Sequence, residues 1–133
     1  MNKDSVIEEN YNNWTQSPFD TTTIKNVKSL KNNNPLEFEE SFYKNLSFGT
    51  GGMRGIVGIG PNRVNRYTFG KNTQGISNFI NKTSSKKESV VIAYDCRNQS
   101  KELANQVQRL ANIHDKLEAL LRDTGVVDRR PDW

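Results

Sequence analysis

The sequence predicts an α/β fold, and three observations carry that prediction. Helical apolar spacings recur along the chain. A β-branched apolar run, Ser89-Val90-Val91-Ile92-Ala93-Tyr94, is too short for a helix and reads as a buried-type strand. A glycine-dense stretch over 49–61 separates the N-terminal helical patterns from that strand and the helical patterns on either side of it.

Each element has its own signal. Ile7, Tyr11 and Trp14 fall at i, i+4 and i+7, which predicts a short helix over 7–14. Ser17-Pro18-Phe19-Asp20 reads as a turn, with Asp20 or Thr21 as the cap of a second helix over 22–31 that carries Ile24, Val27 and Leu30. Pro35 suits a helix's first turn, and Phe38, Phe42 and Leu46 share one face of a third helix over 36–46. Glu37, Glu39 and Glu40 read as its solvated side. A short strand is expected at 54–58 inside the glycine loop. A helix over 67–80 comes next, with Tyr67, Thr73, Ile76 and Phe79 marking an imperfect face. After the strand at 89–94, Ser100 is a candidate N-cap for a last helix. Its stripe runs through Leu103, Val107, Leu110, Ile113 or His114, Leu117 and Leu121, and Thr124-Gly125 is its stop.

Composition narrows the function classes. Of 133 residues, 33% are hydrophobic, and nine glycines bring the apolar share to about 40%, under the roughly 45–50% of ordinary domains. No apolar run reaches the roughly 20 residues of a transmembrane helix. Cys96 is the only cysteine, which excludes a disulfide scaffold and fits a reducing, cytoplasmic setting. The polar start predicts no secretory leader. The net charge is +4 and scattered, without the basic run of a nucleic-acid footprint, so small anions are the better ligand class.

Composition also shifts near residue 105. Residues 1–105 hold sixteen asparagines and ten lysines; residues 106–133 hold one of each. Such a shift fits a domain boundary, a join between unrelated reading frames, or a charged helix with its own composition. The expected organisation is an N-terminal helical segment over 1–45, a partial domain over 46–105 and a divergent helical tail over 106–133. An apolar stripe along a helix over 100–123 would offer a surface for self-association.

The glycine loop is the main candidate site. Glycines let backbone N–H groups approach an anion unobstructed, and Arg54 adds a planar guanidinium able to grip phosphate through two hydrogen bonds. The alternative reading is a tight structural turn beside a solvated arginine. Neither standard phosphate motif fits: Gly70-Lys71 is followed by Asn72, and Gly49-x-Gly51 lacks a glycine at 54. His114 has no second histidine nearby and reads as structural rather than as a metal ligand. Cys96 has no evident partner base.

Taken together, Phe48-Gly49-Thr50-Gly51-Gly52-Met53-Arg54-Gly55, the G-x-G-P-N-R-V-N string at Gly58–Asn65, Tyr67-Thr68 and Asn72-Thr73-Gln74-Gly75 resemble the N-terminal region of the α-D-phosphohexomutases, in the bacterial phosphoglucomutase/phosphomannomutase branch. The strand ending Tyr94-Asp95-Cys96-Arg97-Asn98-Gln99-Ser100 fits the family's next landmark, Y-D-x-R-x-x-S. Trp14 and the Pro35–Phe42 helix also sit where that branch has them, so the resemblance covers roughly residues 10–105.

The resemblance implies an incomplete first domain: N-terminal helices plus a small sheet flanked by helices. It implies an isomerase of carbohydrate metabolism that moves a phosphoryl group within a sugar phosphate, using a phosphoserine and Mg²⁺. Arg54 matches the arginine that stabilises the moving phosphoryl group, and Thr50, Gly51 and Gly52 match the loop that positions it. Arg97 matches a scaffolding position. The chain contains neither a T-A-S-H-N-P-type serine loop nor a D-G-D-x-D-R-type metal loop. It reads as the first part of domain one joined to a foreign or frame-shifted end. No catalytic residue is expected here, no Mg²⁺ is expected to bind, and strand 89–94 is expected to lack sheet neighbours.

Overall fold

The computed structural model describes residues 2–113 and 117–123. It divides between Thr68 and Phe69 into two compact units.

The first unit is built on three helices: α1 (Lys3–Trp14), α2 (Thr21–Asn33) and α3 (Pro35–Phe42). The apolar spacings converge as expected. Trp14, Val27, Phe38 and Phe42 form the core, with Ile7, Tyr11, Phe19, Leu30, Ile59 and Tyr67 packed around it. Val27 and Phe42 are fully buried, and each such side chain contributes about 1.5–3 kcal/mol. Phe42 stacks on Phe38 with centroids 4.6 Å apart and meets Trp14 edge-on at 5.9 Å. Asp20 caps α2, its Oδ1 accepting the Thr23 N–H at 2.9 Å.

Helix α3 ends at Phe42, short of the expected Leu46. Its last carbonyls have found other donors. Asn62 Nδ2 donates to the Glu40 carbonyl at 2.9 Å, Asn62 N–H to Ser41 O at 3.0 Å, and Asn10 Nδ2 to Phe42 O at 2.7 Å. A further helical turn would need those same oxygens. The chain then forms a short antiparallel hairpin, β1 (Phe48–Gly49) and β2 (Gly52–Met53), with Phe48 opposite Met53. The strand expected at 54–58 is absent as such; that segment contributes only a bridge between Val57 and Val64. The reversal at Thr50-Gly51 directs the strand pairing to 52–53 instead.

Helix α4 (Arg66–Thr83) leads into the second unit. Its expected face was wrong in part. Ile76 and Phe79 are exposed, at 53% and 67%, while Thr73 and Ser77 are buried. The inward stripe is Gly70, Thr73, Ser77 and Ile80, a row of mostly small residues. It lets Leu110 Cδ1 come within 3.3 Å of where a Cβ on Gly70 would lie. Strand β3 (Glu88–Tyr94) alternates half-buried and exposed positions, with Val91 62% exposed, so it is half-buried rather than the buried type expected.

Helix α5 (Ser100–Asn112) is shorter than the helix expected over 100–123. Leu117–Asp123 is instead a strand, β4, paired parallel to β3 from Glu88–Leu117 to Tyr94–Asp123. Strand 89–94 therefore has a sheet neighbour. Side chains of α5 hold the strand. Asn112 Oδ1 accepts the Ala119 N–H at 2.7 Å, and Gln108 Nε2 donates to the Ala119 carbonyl at 2.9 Å. Ala119 and Ala111 are buried with Ile80, Val90 and Ile92 around them. A leucine-rich run satisfies either period, and here pairing with β3 outweighs helix propensity. His114 and the stop signal at Thr124-Gly125 lie outside the described residues.

Candidate functional site

The β1–β2 hairpin builds a pocket. Ser47, Gly49, Thr50, Gly51, Gly52 and Arg54 line an open concavity of about 400 Å³. Thr50 and Gly51 form the two-residue connection of the hairpin. Gly52 takes φ of +103°, a conformation that favours glycine, so the reversal needs that residue. Gly51 serves a different end. A Cβ on it would lie 2.8 Å from Arg54 Nη2, so its bare backbone is what lets the guanidinium fold over the turn. The structure thus brings together all four residues singled out from the sequence: Thr50, Gly51, Gly52 and Arg54.

Among the described residues Arg54 has no carboxylate or carbonyl partner, and its side chain is exposed. The other arginines of this unit are engaged. Arg63 is 5% exposed, with Nη1 donating to the Asn62 carbonyl at 3.2 Å and its stem against Gly58. Arg66 pairs with the Asp20 carboxylate and donates to the Tyr67 hydroxyl at 2.8 Å. Asp20 also accepts from the Tyr67 hydroxyl. That bond, followed by those from Thr23 and the charge of Arg66, holds the Asp20 carboxyl well below the usual carboxylate range. Among the described arginines of this unit Arg54 is therefore the one left to face a ligand, and bare glycine backbone lies beside it.

Sequence reasoning overlooked what holds this loop in place. Leu46 N–H donates to the Pro61 carbonyl at 2.8 Å, and Val64 N–H to Ile56 O at 2.8 Å. Asn65 Nδ2 donates to the carbonyls of Gly58, Gly60 and Arg63, while its Oδ1 accepts the N–H groups of Tyr67 and Thr68. An asparagine just ahead of a helical period is an N-cap signal, and the sequence carried it here.

The second unit shapes the Asp95–Ser100 turn. Asp95 accepts from the Arg97 backbone at 3.1 Å and from Arg97 Nε at 2.7 Å, which, with the backbone bond first, lowers its pKa. Arg97 is thus tied into its own turn. Ser100 is not the N-cap: Gln99 holds that position at φ of +63°, and Ser100 Oγ accepts the Asp95 N–H at 3.2 Å. Cys96 is exposed and free. Among the described residues no three Asp, Glu, His or Cys side chains converge as metal ligands. None of their helices is long and apolar enough to cross a membrane.

Comparison with known proteins decides the family. The model of the phosphoglucomutase/phosphomannomutase α/β/α domain I matches residues 45–115, more than half of the chain. The chain belongs to the phosphoglucomutase/phosphomannomutase family. Its mixed α/β architecture is that of a partial first domain. The chain is 42% identical over 72 residues to a phosphoglucomutase of Staphylococcus haemolyticus, covering 54% of this chain and 13% of that protein. It is 35% identical over 114 residues to one of Staphylococcus epidermidis, covering 85% and 20%. A Staphylococcus aureus phosphoglucomutase is 34% identical over 89 residues, covering 67% and 16%. The chain spans a fifth or less of the length of these relatives. No solved structure matches it significantly. The family match extends past residue 105, where the resemblance read from the motifs ended, and takes in all of α5.

Proposed function

We propose that the 49–54 turn binds the phosphate group of a sugar phosphate, as the phosphate-recognising part of a sugar-phosphate mutase. The observation that carries this is Arg54, without a carboxylate partner among the described residues and folded over bare glycine backbone at a pocket. A dianionic phosphate would take two parallel hydrogen bonds from the guanidinium, with Thr50, Gly51 and Gly52 shaping the rim. In a transferring enzyme the same cation would neutralise charge on the moving phosphoryl group.

The 133 residues contain no T-A-S-H-N-P-type serine loop, so by themselves they have no nucleophile to hold the phosphoryl group between transfers. Mg²⁺ belongs to this reading only at the level of the family. The described residues offer no converging carboxylates to hold it, and no step here passes through it. The chain alone is therefore a phosphate-binding piece without turnover, in keeping with a cytoplasmic setting. Self-association through residues 100–123 would have to use α5 and β4 rather than one helix; a concentration-independent mass by light scattering would end that alternative.

Titration with inorganic phosphate and glucose 1-phosphate, followed by the backbone amide resonances of Gly51 and Gly52, tests the proposal. Millimolar-range binding is expected. Arg54→Ala removes a charge-assisted pair of about 1.5–3 kcal/mol, so affinity falls about ten- to hundredfold. Unchanged resonances in the native chain, or binding indifferent to Arg54→Ala, would refute it. Turnover of glucose 1-phosphate by the pure chain would refute the absence of catalysis.

A further inference from the structure

We infer that Asn65 is the positioning residue for Arg54, an inference that rests on the phosphate-site reading above. Arg54 follows a hairpin whose two legs pair with each other only at Phe48–Met53 and Gly49–Gly52, and both legs are also anchored to the 56–65 loop. The incoming leg is held where Leu46 N–H meets Pro61 O at 2.8 Å, just before β1. The outgoing leg is held where Val64 N–H meets Ile56 O at 2.8 Å and Gly58 N–H meets Val64 O at 3.1 Å, just after Arg54.

One side chain gathers this loop. Asn65 Nδ2 donates to the carbonyls of Gly58 at 2.9 Å, Gly60 at 3.0 Å and Arg63 at 3.3 Å. Its Oδ1 accepts the Tyr67 and Thr68 N–H groups, both at 3.0 Å, and so caps α4. Only this amide orientation satisfies all five groups. Asn65 thereby ties the platform beneath Arg54 to the end of a helix whose Tyr67 is built into the core. The pocket itself is held by the short β1–β2 pairing, and its residues Thr50, Gly51 and Arg54 are exposed. The aim of the guanidinium is therefore set from below, through Asn65.

Two substitutions in the full chain separate loop positioning from helix capping. Asn65→Asp keeps Oδ1 as a good cap but turns a carboxylate oxygen toward three carbonyls. Asn65→Ser keeps a neutral cap and supplies no donor that reaches them. The expected result has four parts. The Trp14 fluorescence of the core, read in a Trp133→Phe background, is kept, and hydrogen exchange at the Gly58 and Val64 amides is at least tenfold faster. The Gly51, Gly52 and Arg54 amide resonances shift, and inorganic phosphate affinity drops at least tenfold with Arg54 still present. Native-like exchange and resonances in both variants would overturn the inference. Loss of the Trp14 signal in both would also overturn it, because Asn65 would then hold the whole unit. If the native chain binds no phosphate, the functional reading fails by itself, and the exchange rates and Arg54 resonance still decide the role of Asn65.

Discussion

Gly60→Ala concentrates the consequences of the loop architecture in one methyl group. Gly60 sits at φ of +121°, and a Cβ there would lie 2.7 Å from Ser41 O, 2.9 Å from Ser41 Cβ and 3.1 Å from Phe42 Cε2. Neither neighbour has room to yield, since Ser41 and Phe42 are 1% and 0% exposed. Backbone strain at a positive φ costs about 1–3 kcal/mol. Overpacking a filled core costs about 1–3 kcal/mol more. The expected loss is about 4 kcal/mol, which at an m-value of about 2 kcal/mol/M lowers the urea midpoint by about 2 M. The chain has two tryptophans, so a Trp133→Phe background leaves Trp14, in the core beside Phe42, as the sole reporter. A loss under about 1 kcal/mol would refute the reasoning, because strain and overpacking would each have to vanish.

The structure sets two other outcomes. The Asp20 carboxyl is held below its ordinary value of 3.8 by Tyr67 and Thr23, so its stabilisation is present above that value and is lost as the pH falls through the folded-state pKa. Asp20→Asn should therefore lower the melting temperature near neutrality, with the gap to the native chain closing in acid; a gap independent of pH would show that the carboxylate's charge is not what matters. Asn112→Ala removes the acceptor for the buried Ala119 N–H and should cost about 1–3 kcal/mol. Faster amide exchange along both β3 and β4 is its signature, and helical rather than strand exchange patterns over 117–123 would refute the β4 assignment.

Much of the first unit was legible because its signals are local. Ile7, Tyr11 and Trp14, then Val27, then Phe38 and Phe42 follow helical spacing, and each turns inward as that spacing requires. The glycines and Arg54 were legible as a candidate site because few residue types allow bare backbone beside a guanidinium. The errors lie where two local readings compete. Leu117–Asp123 suits helix or strand equally, and Ala119, which accepts from Gln108 Nε2 and donates its N–H to Asn112 Oδ1, selects the strand. The inward face of α4 went to Gly70, Thr73 and Ser77 rather than to Ile76 and Phe79, because close approach of Leu110 rewards small residues over apolar ones.

By itself the sequence determined the α/β class, the helices of the N-terminal core, the strand at 89–94 and four of the six residues that line the pocket. Those come from periodicity, from β-branching and from what glycine and arginine uniquely allow. Tertiary structure alone decided where α3 stops, which face of α4 turns inward, that β4 is a strand, and that Asn65 braces the Arg54 loop. Each of these depends on which distant donor reaches which carbonyl, and a pairing between residues far apart in the chain leaves no period in the sequence to read.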